Sequence, residues 1–105
     1  PKNAASNSPS KLVRILLIDD DPDVGMLVKV TLRNTAYVVD QAYNLVEGLA
    51  GIRRKEHDVY LVDYRLGVDD GLDLIRQAVA ENCQRPMIML TGYADPRRTN
   101  LAAGY

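Results

Sequence analysis

Short apolar runs alternate along this chain with stretches whose apolar residues recur at helical spacing. Val13–Ile18 reads as a first strand. Val24, Leu27, Val28, Thr31 and Leu32 then share one helical face. Tyr37–Gln41 is a second, shorter strand, and Leu45, Leu49 and Ile52 form the face of a second helix. Val59–Asp63 is a third strand, and Leu72, Ile75 and Val79 mark a third helix ending near Asn82. Met87–Thr91 is a fourth strand, and Pro96 opens a fourth helix running to about Ala103. Apolar runs this short between helical patterns read as buried parallel strands. The order βαβαβαβα implies right-handed crossovers and a parallel sheet covered on both faces.

Local chemistry supports these boundaries. Asp21 is placed to cap the first helix, with Pro22 at its first position, where a missing N–H costs nothing. Asn44 with Glu47 three residues later resembles a capping box. Tyr64–Asp70 reads as a loop. Residues 1–11 are rich in Asn, Ser, Ala and Pro without an apolar period, and read as a flexible extension or linker. The folded domain is expected over 12–105.

Composition adds limits rather than direction. With 105 residues, 47% hydrophobic and 26% charged, the chain fits one globular domain. A net charge of −1 gives no broad pull toward nucleic acid. The basic clusters Arg53-Arg54-Lys55 and Arg97-Arg98 read as solvated helix faces or ends. A single cysteine, Cys83, excludes an internal disulfide and fits a reducing compartment. Uninterrupted apolar runs of four or five residues leave no membrane span and no signal-peptide core, so the cytoplasm is the expected location. His57, the one histidine, reads as a surface residue before a strand entrance, and Tyr37 and Tyr60 as core or semi-core residues.

The chemistry lies where the apolar runs stop. The first runs into Asp19-Asp20, the third into Asp63 and the fourth into Thr91. Ligands of open parallel sheets bind outside the carboxyl ends of the strands, so these residues, spread over 73 positions, should meet at one edge. Carboxylates crowded there repel, and a hard divalent cation such as Mg²⁺ relieves that cost. Asp63, central among the strand ends, is best placed as a phosphoryl-accepting nucleophile. Thr91 is placed to hydrogen-bond a phosphoryl oxygen, and Tyr93 lies at the rim.

With ILLIDDDPD, LVDYRLGVDDGLDLI and PMIMLTGYAD in this order, the chain resembles the receiver domain of bacterial two-component response regulators from Val13 to Tyr105. The resemblance implies a flavodoxin-like, doubly wound α/β fold with strand order 2-1-3-4(-5). It implies that Asp63 accepts a phosphoryl group from a sensor histidine kinase or phosphotransfer protein and relays the signal by conformational change. Asp19, Asp20, Asp63 and the backbone carbonyl of Arg65 would hold Mg²⁺, and Thr91 would report phosphorylation. Asp70-Gly71 would shape the start of the third helix. The protein would be a phosphoryl acceptor rather than an enzyme with an external substrate, soluble, with no direct nucleic-acid or membrane contact of its own.

Two departures stand out. Family members usually carry Pro where this chain has Gly67. They also continue into a fifth strand and a last helix, with a switch aromatic and a phosphoryl-pairing lysine, none of which falls before Tyr105. The expectation is an incomplete chain, whose parent could be a stand-alone receiver, a transcription factor or a hybrid kinase. A chain truly ending at Tyr105 would expose the fourth strand as an edge prone to self-association. Two further readings remain beside this one. One is a receiver-like interaction module that is not phosphorylated. The other is a haloacid-dehalogenase-type phosphatase, with Asp19 as nucleophile and Asp21 as acid/base, which turnover of a generic phosphomonoester would reveal.

Overall fold

The computed structural model describes residues 11–90. Four parallel strands form the main sheet: β1 (Val13–Ile18), β2 (Tyr37–Ala42), β3 (Val59–Asp63) and β6 (Met87–Leu90). Their order is β2-β1-β3-β6, the expected 2-1-3-4 order of the sheet strands. The connecting helices are α1 (Pro22–Thr31), α2 (Leu45–Arg53) and α3 (Gly71–Ala80). Within the loop read at 64–70, Arg65–Leu66 (β4) and Asp69–Asp70 (β5) pair as a small antiparallel hairpin. Thr91, Tyr93 and the fourth helix read at 96–103 lie outside the described residues.

The central strands are buried on both faces. Leu16, Leu17, Ile18 and Val62 are at most 2% exposed. One layer of core joins Leu16, Ile18, Tyr60 and Val62 to Leu49 and Ile52 of α2 and to Leu74, Ile75 and Ala78 of α3. On the opposite face Ile15, Leu17 and Val39 pack with Val24, Val28 and Leu32 from the α1 side. Strands that alternate between two cores must read as continuous apolar runs, which is what the sequence shows.

The caps form as expected. Asp21 accepts from the Asp23 N–H at 2.9 Å, and Asn44 accepts from the Glu47 N–H at 2.8 Å. The Glu47 carboxylate accepts from the N–H of Tyr43, one residue before the cap.

Several expectations fail for identifiable reasons. The α1 face is narrower than five residues: Leu27 is 66% exposed and Thr31 is exposed, because only the Val24–Val28–Leu32 row meets the sheet. On α3, Val79 is exposed, and Leu74 and Ala78 take the inward positions beside Ile75. Tyr37 is exposed at the start of outer strand β2, whereas Tyr60 is buried. His57 is not a surface residue. It is 2% exposed, and its Nε2 is 2.8 Å from Asp40 Oδ2. Asp40 projects from β2 and also faces Arg14 at 3.7 Å, so a carboxylate from a neighbouring strand makes the burial of an imidazole tolerable.

Candidate functional site

Strand register brings the acids together. Ile18 stands beside Val62 in the β1–β3 ladder, so Asp19 and Asp63 leave adjacent strands at the same level. The Asp19 N–H still bonds the Ala42 carbonyl at 3.0 Å, which carries strand geometry one residue past β1. Asp19 is buried, Asp20 exposed and Asp63 half-buried. One carboxylate oxygen from each of the three lies within 4.8 Å of the others. Thr91 follows Leu90, the residue opposite Asp63 in the β3–β6 register, but is itself outside the described residues.

The electrostatics are those of like charges held in place. Burial pushes the Asp19 carboxyl above the ordinary range, and the neighbouring Asp20 and Asp21 charges add to the rise. A hydrogen bond from the Asp21 N–H, 2.9 Å from Asp19 Oδ1, opposes it. Burial likewise raises Asp63, with the Asp19 charge next and Asp20 a smaller contribution. Hydrogen bonding from the backbone of Arg65 and Tyr64 pulls Asp63 the other way. The N-terminus of α1 opens just beyond the cluster, where its dipole favours negative charge.

The segment after Asp63 is shaped by two glycines. The Gly71 N–H donates to the Tyr64 carbonyl at 2.7 Å, and Asp70 caps α3 by accepting from the Leu72 N–H at 2.8 Å. A Cβ on Gly71 would sit 2.1 Å from the Asp63 carbonyl oxygen. The bare Cα therefore lets α3 begin directly against the Asp63 peptide. Gly67 turns the β4–β5 hairpin at φ +67°, with no positive φ at Val68, the signature of a type II′ turn. Proline, fixed near φ −65°, could not occupy that position. The Gly67 departure thus belongs to an ordered hairpin beside the site, and a Cβ there would face Asp20 Oδ2 at 3.9 Å.

Asp19, Asp20 and Asp63, selected from the sequence, are brought together, with Arg65 in the adjoining hairpin. Asp21 stands apart as a helix cap. The contact between Gly71 and the Asp63 peptide had no periodic signal. Its trace was only the Asp-Gly pair before a helical pattern.

The structure is thus a doubly wound α/β domain with three acids clustered where β1 and β3 end. The comparisons with known proteins narrow it. The family model of the response regulator receiver domain matches residues 15–104, and the chain belongs to that family. It is 32% identical over 80 residues to the response regulator protein PilR of Pseudomonas aeruginosa, covering 76% of this chain and 18% of PilR. It is 32% identical over 87 residues to the transcriptional regulatory protein TrcR of Mycobacterium tuberculosis, covering 83% of this chain and 33% of TrcR. The chain thus spans between 18% and 33% of these relatives. Among solved structures it resembles the BeF3-activated N-terminal receiver domain of Klebsiella pneumoniae RstA. There the TM-score is 0.78 at 26% identity, over 87% of this chain and 77% of that one. The non-phosphorylated HemR receiver domain of Leptospira biflexa matches with TM-score 0.77 at 28% identity, over 88% and 74% of the two chains.

Proposed function

We propose that this receiver domain accepts a phosphoryl group on Asp63 from the phosphohistidine of a sensor histidine kinase or phosphotransfer protein. The observation that carries the reading is the position of Asp63, half-buried at the end of β3 with Asp19 and Asp20 oxygens within 4.8 Å. In the transfer an Asp63 oxygen forms the new P–O bond, the P–N bond to the donor imidazole breaks, and the freed nitrogen takes a proton. The backbone of Tyr64 and Arg65 steadies the carboxylate from one side, and the close seating of Gly71 fixes the peptide that carries it. Thr91 is assigned the hydrogen bond to the phosphoryl group.

The donor set fits Mg²⁺. The cluster offers three hard carboxylate oxygens within 4.8 Å of one another, the donor type that Mg²⁺ takes. Asp19, Asp20, Asp63 and the Arg65 carbonyl would hold the ion. When bound it would supply positive charge to offset the crowded carboxylates and the incoming phosphoryl oxygens.

Among the described residues no helix is long and apolar enough to cross a membrane, and the cytoplasmic assignment rests on membership of the receiver family. The output belongs to an effector unit, by analogy with relatives described as transcriptional regulators. The dehalogenase-type alternative is disfavoured by the match to the receiver family, and the Asp21 it needs as acid/base caps α1 through Oδ1.

The test is direct. Incubation with a small phosphodonor and Mg²⁺ should add one phosphoryl mass, lost on hydroxylamine treatment. Asp63→Asn should abolish the adduct and keep the fold. Undiminished labelling of that variant would refute the assignment, and absence of labelling in the wild-type domain would favour the non-phosphorylated interaction module.

A further inference from the structure

The Asp19–Asp21 segment is held by a side chain from the neighbouring strand. Gln41, half-buried on β2, points its amide at this loop. Its Nε2 is 2.9 Å from the carbonyl oxygen of Asp19 and 3.0 Å from that of Asp21. One NH₂ group carries two donors, and here both are used on the carbonyls either side of Asp20.

Helix α1 makes room for this contact. A Cβ on Gly25 would fall 1.6 Å from Gln41 Oε1 and 2.4 Å from its Cδ. Glycine inside a helix costs about 1 kcal/mol relative to alanine. The amide therefore accounts for a glycine that helix formation alone disfavours. The Asp21 carbonyl also receives the long 3.4 Å bond from the Gly25 N–H, so strand and helix meet on one acceptor.

We propose that Gln41 is a positioning residue for the acidic site, with Gly25 as the space that admits it. Like charges push Asp19, Asp20 and Asp63 apart, and Asp20 is the exposed member with most room to move. By fixing the peptide group before Asp20 and the one after Asp21, the amide holds the short segment that carries the Asp20 carboxylate within reach of the other two. The proposal rests on the reading of these acids as the Mg²⁺-holding set.

Two routes to the same lesion test it. Gln41→Ala removes the donors, Gln41→Met removes them while keeping bulk, and Gly25→Ala displaces the amide without touching it. Each variant, with Asp20→Asn as reference, is compared by calorimetric Mg²⁺ titration and by metal-free hydrogen exchange of the amides at 19–25. Gln41→Ala and Gly25→Ala should each weaken Mg²⁺ roughly tenfold, as outer partners of metal ligands do. Both should speed exchange at Asp21. The double variant should lose nothing further, since the second change removes an interaction already gone. A merely structural glutamine would lower stability without this shared, non-additive loss of affinity.

If Asp20→Asn weakens Mg²⁺ while the Gln41 and Gly25 variants keep wild-type affinity and exchange, the proposal is overturned and the metal reading stands. Suppose instead that no variant, Asp20→Asn included, alters affinity, yet both clamp variants speed exchange. Gln41 then holds the loop, and the metal reading it was meant to serve is what falls. Should Gln41→Ala fail to fold, Gln41→Met and Gly25→Ala still decide, because Gly25→Ala improves the helix.

Discussion

The two ends of the sheet treat charge in opposite ways. At the exit end, where β1 and β3 stop, Asp19, Asp20 and Asp63 stand within 4.8 Å, and burial and mutual repulsion raise the Asp19 and Asp63 carboxyls. At the entrance end each ionisable group named has a hydrogen-bonding or ion-pair partner. His57 meets Asp40 at 2.8 Å, Arg53 meets Glu81 at 2.7 Å, and Arg85 faces Asp58 at 4.0 Å. There the Asp40 carboxyl is lowered, first by the hydrogen bond from His57 and then by the charges of His57, Arg14 and Lys29. Among the described residues the groups named at one end are paired while like charges crowd at the other, and that contrast supports the proposed cation at the crowded end.

The largest break in this contrast comes from the entrance end. His57→Ala removes a buried ring and its hydrogen bond to Asp40, and should cost about 2–3 kcal/mol of folding stability. Urea unfolding measures it. Added Mg²⁺ should give wild type and variant the same increment, because His57 precedes β3 while the acids follow its end. A loss below about 0.5 kcal/mol, the range of surface changes, would show that the buried pair does not hold this end together.

The exit end should respond with the reverse sign. Asp63→Asn removes one crowded charge, and in the absence of metal it should stabilise the fold by about 0.5–1 kcal/mol after allowance for solvent screening. With Mg²⁺ at 100 times its Kd the wild type should gain about 2.7 kcal/mol through linkage, while the variant gains far less. The order of melting temperatures therefore crosses as Mg²⁺ is added. A variant that stays less stable than wild type at every Mg²⁺ concentration would contradict the repulsion argument.

The same contrast appears along the pH axis. For Asp19 and Asp63 the folded carboxyl holds its proton above the ordinary 3.8, so the native state binds more protons there than the unfolded chain. Metal-free stability from these groups is greatest below that value and falls as pH rises through their raised range. Asp40 is lowered, so its contribution is present above 3.8 and is lost as pH falls through its folded value. Asp63→Asn should therefore flatten the decline on the rising side, and His57→Gln should remove part of the loss on acidification. Denaturant titrations across pH in a chelator separate the two. An unchanged profile in Asp63→Asn would place the destabilising titration elsewhere.

How much of this was legible in the sequence follows the same division. Asp19, Asp20 and Asp63 were readable because each ends an apolar run, and strand ends in a parallel sheet converge by topology. The sheet order rested on the receiver resemblance, while alternation of strand and helix patterns gave the parallel class. His57 was misread because its partner Asp40 lies 17 residues earlier on another strand, and nothing local announces that pairing. The hairpin at 65–70 escaped because two-residue strands carry no measurable period. Leu27 and Val79 share the apolar spacing yet face outward, because spacing alone does not say how wide a strip of each helix the sheet covers. Gly71 and Gly25 owe their identities to atoms from distant segments, Asp63 and Gln41, which only the fold brings near.

The smallest effect sharpens the contrast by separating burial from pairing. Arg53 and Glu81 link the C-terminal ends of α2 and α3 through two hydrogen bonds, at 2.9 and 2.7 Å, and each shifts the other toward its charged form. Both are largely solvated, so the Coulomb gain is screened and two long side chains lose freedom to meet. A double-mutant cycle with Arg53→Met and Glu81→Gln should therefore give a coupling near the error of measurement at high salt, resolvable only at low ionic strength. Neither change should alter Mg²⁺ affinity, since the pair sits at the entrance end. A coupling that survives high salt would mean that the pair is held rigidly enough to act as a buried bond. The entrance end would then owe its stability to the clasp between α2 and α3 as much as to His57.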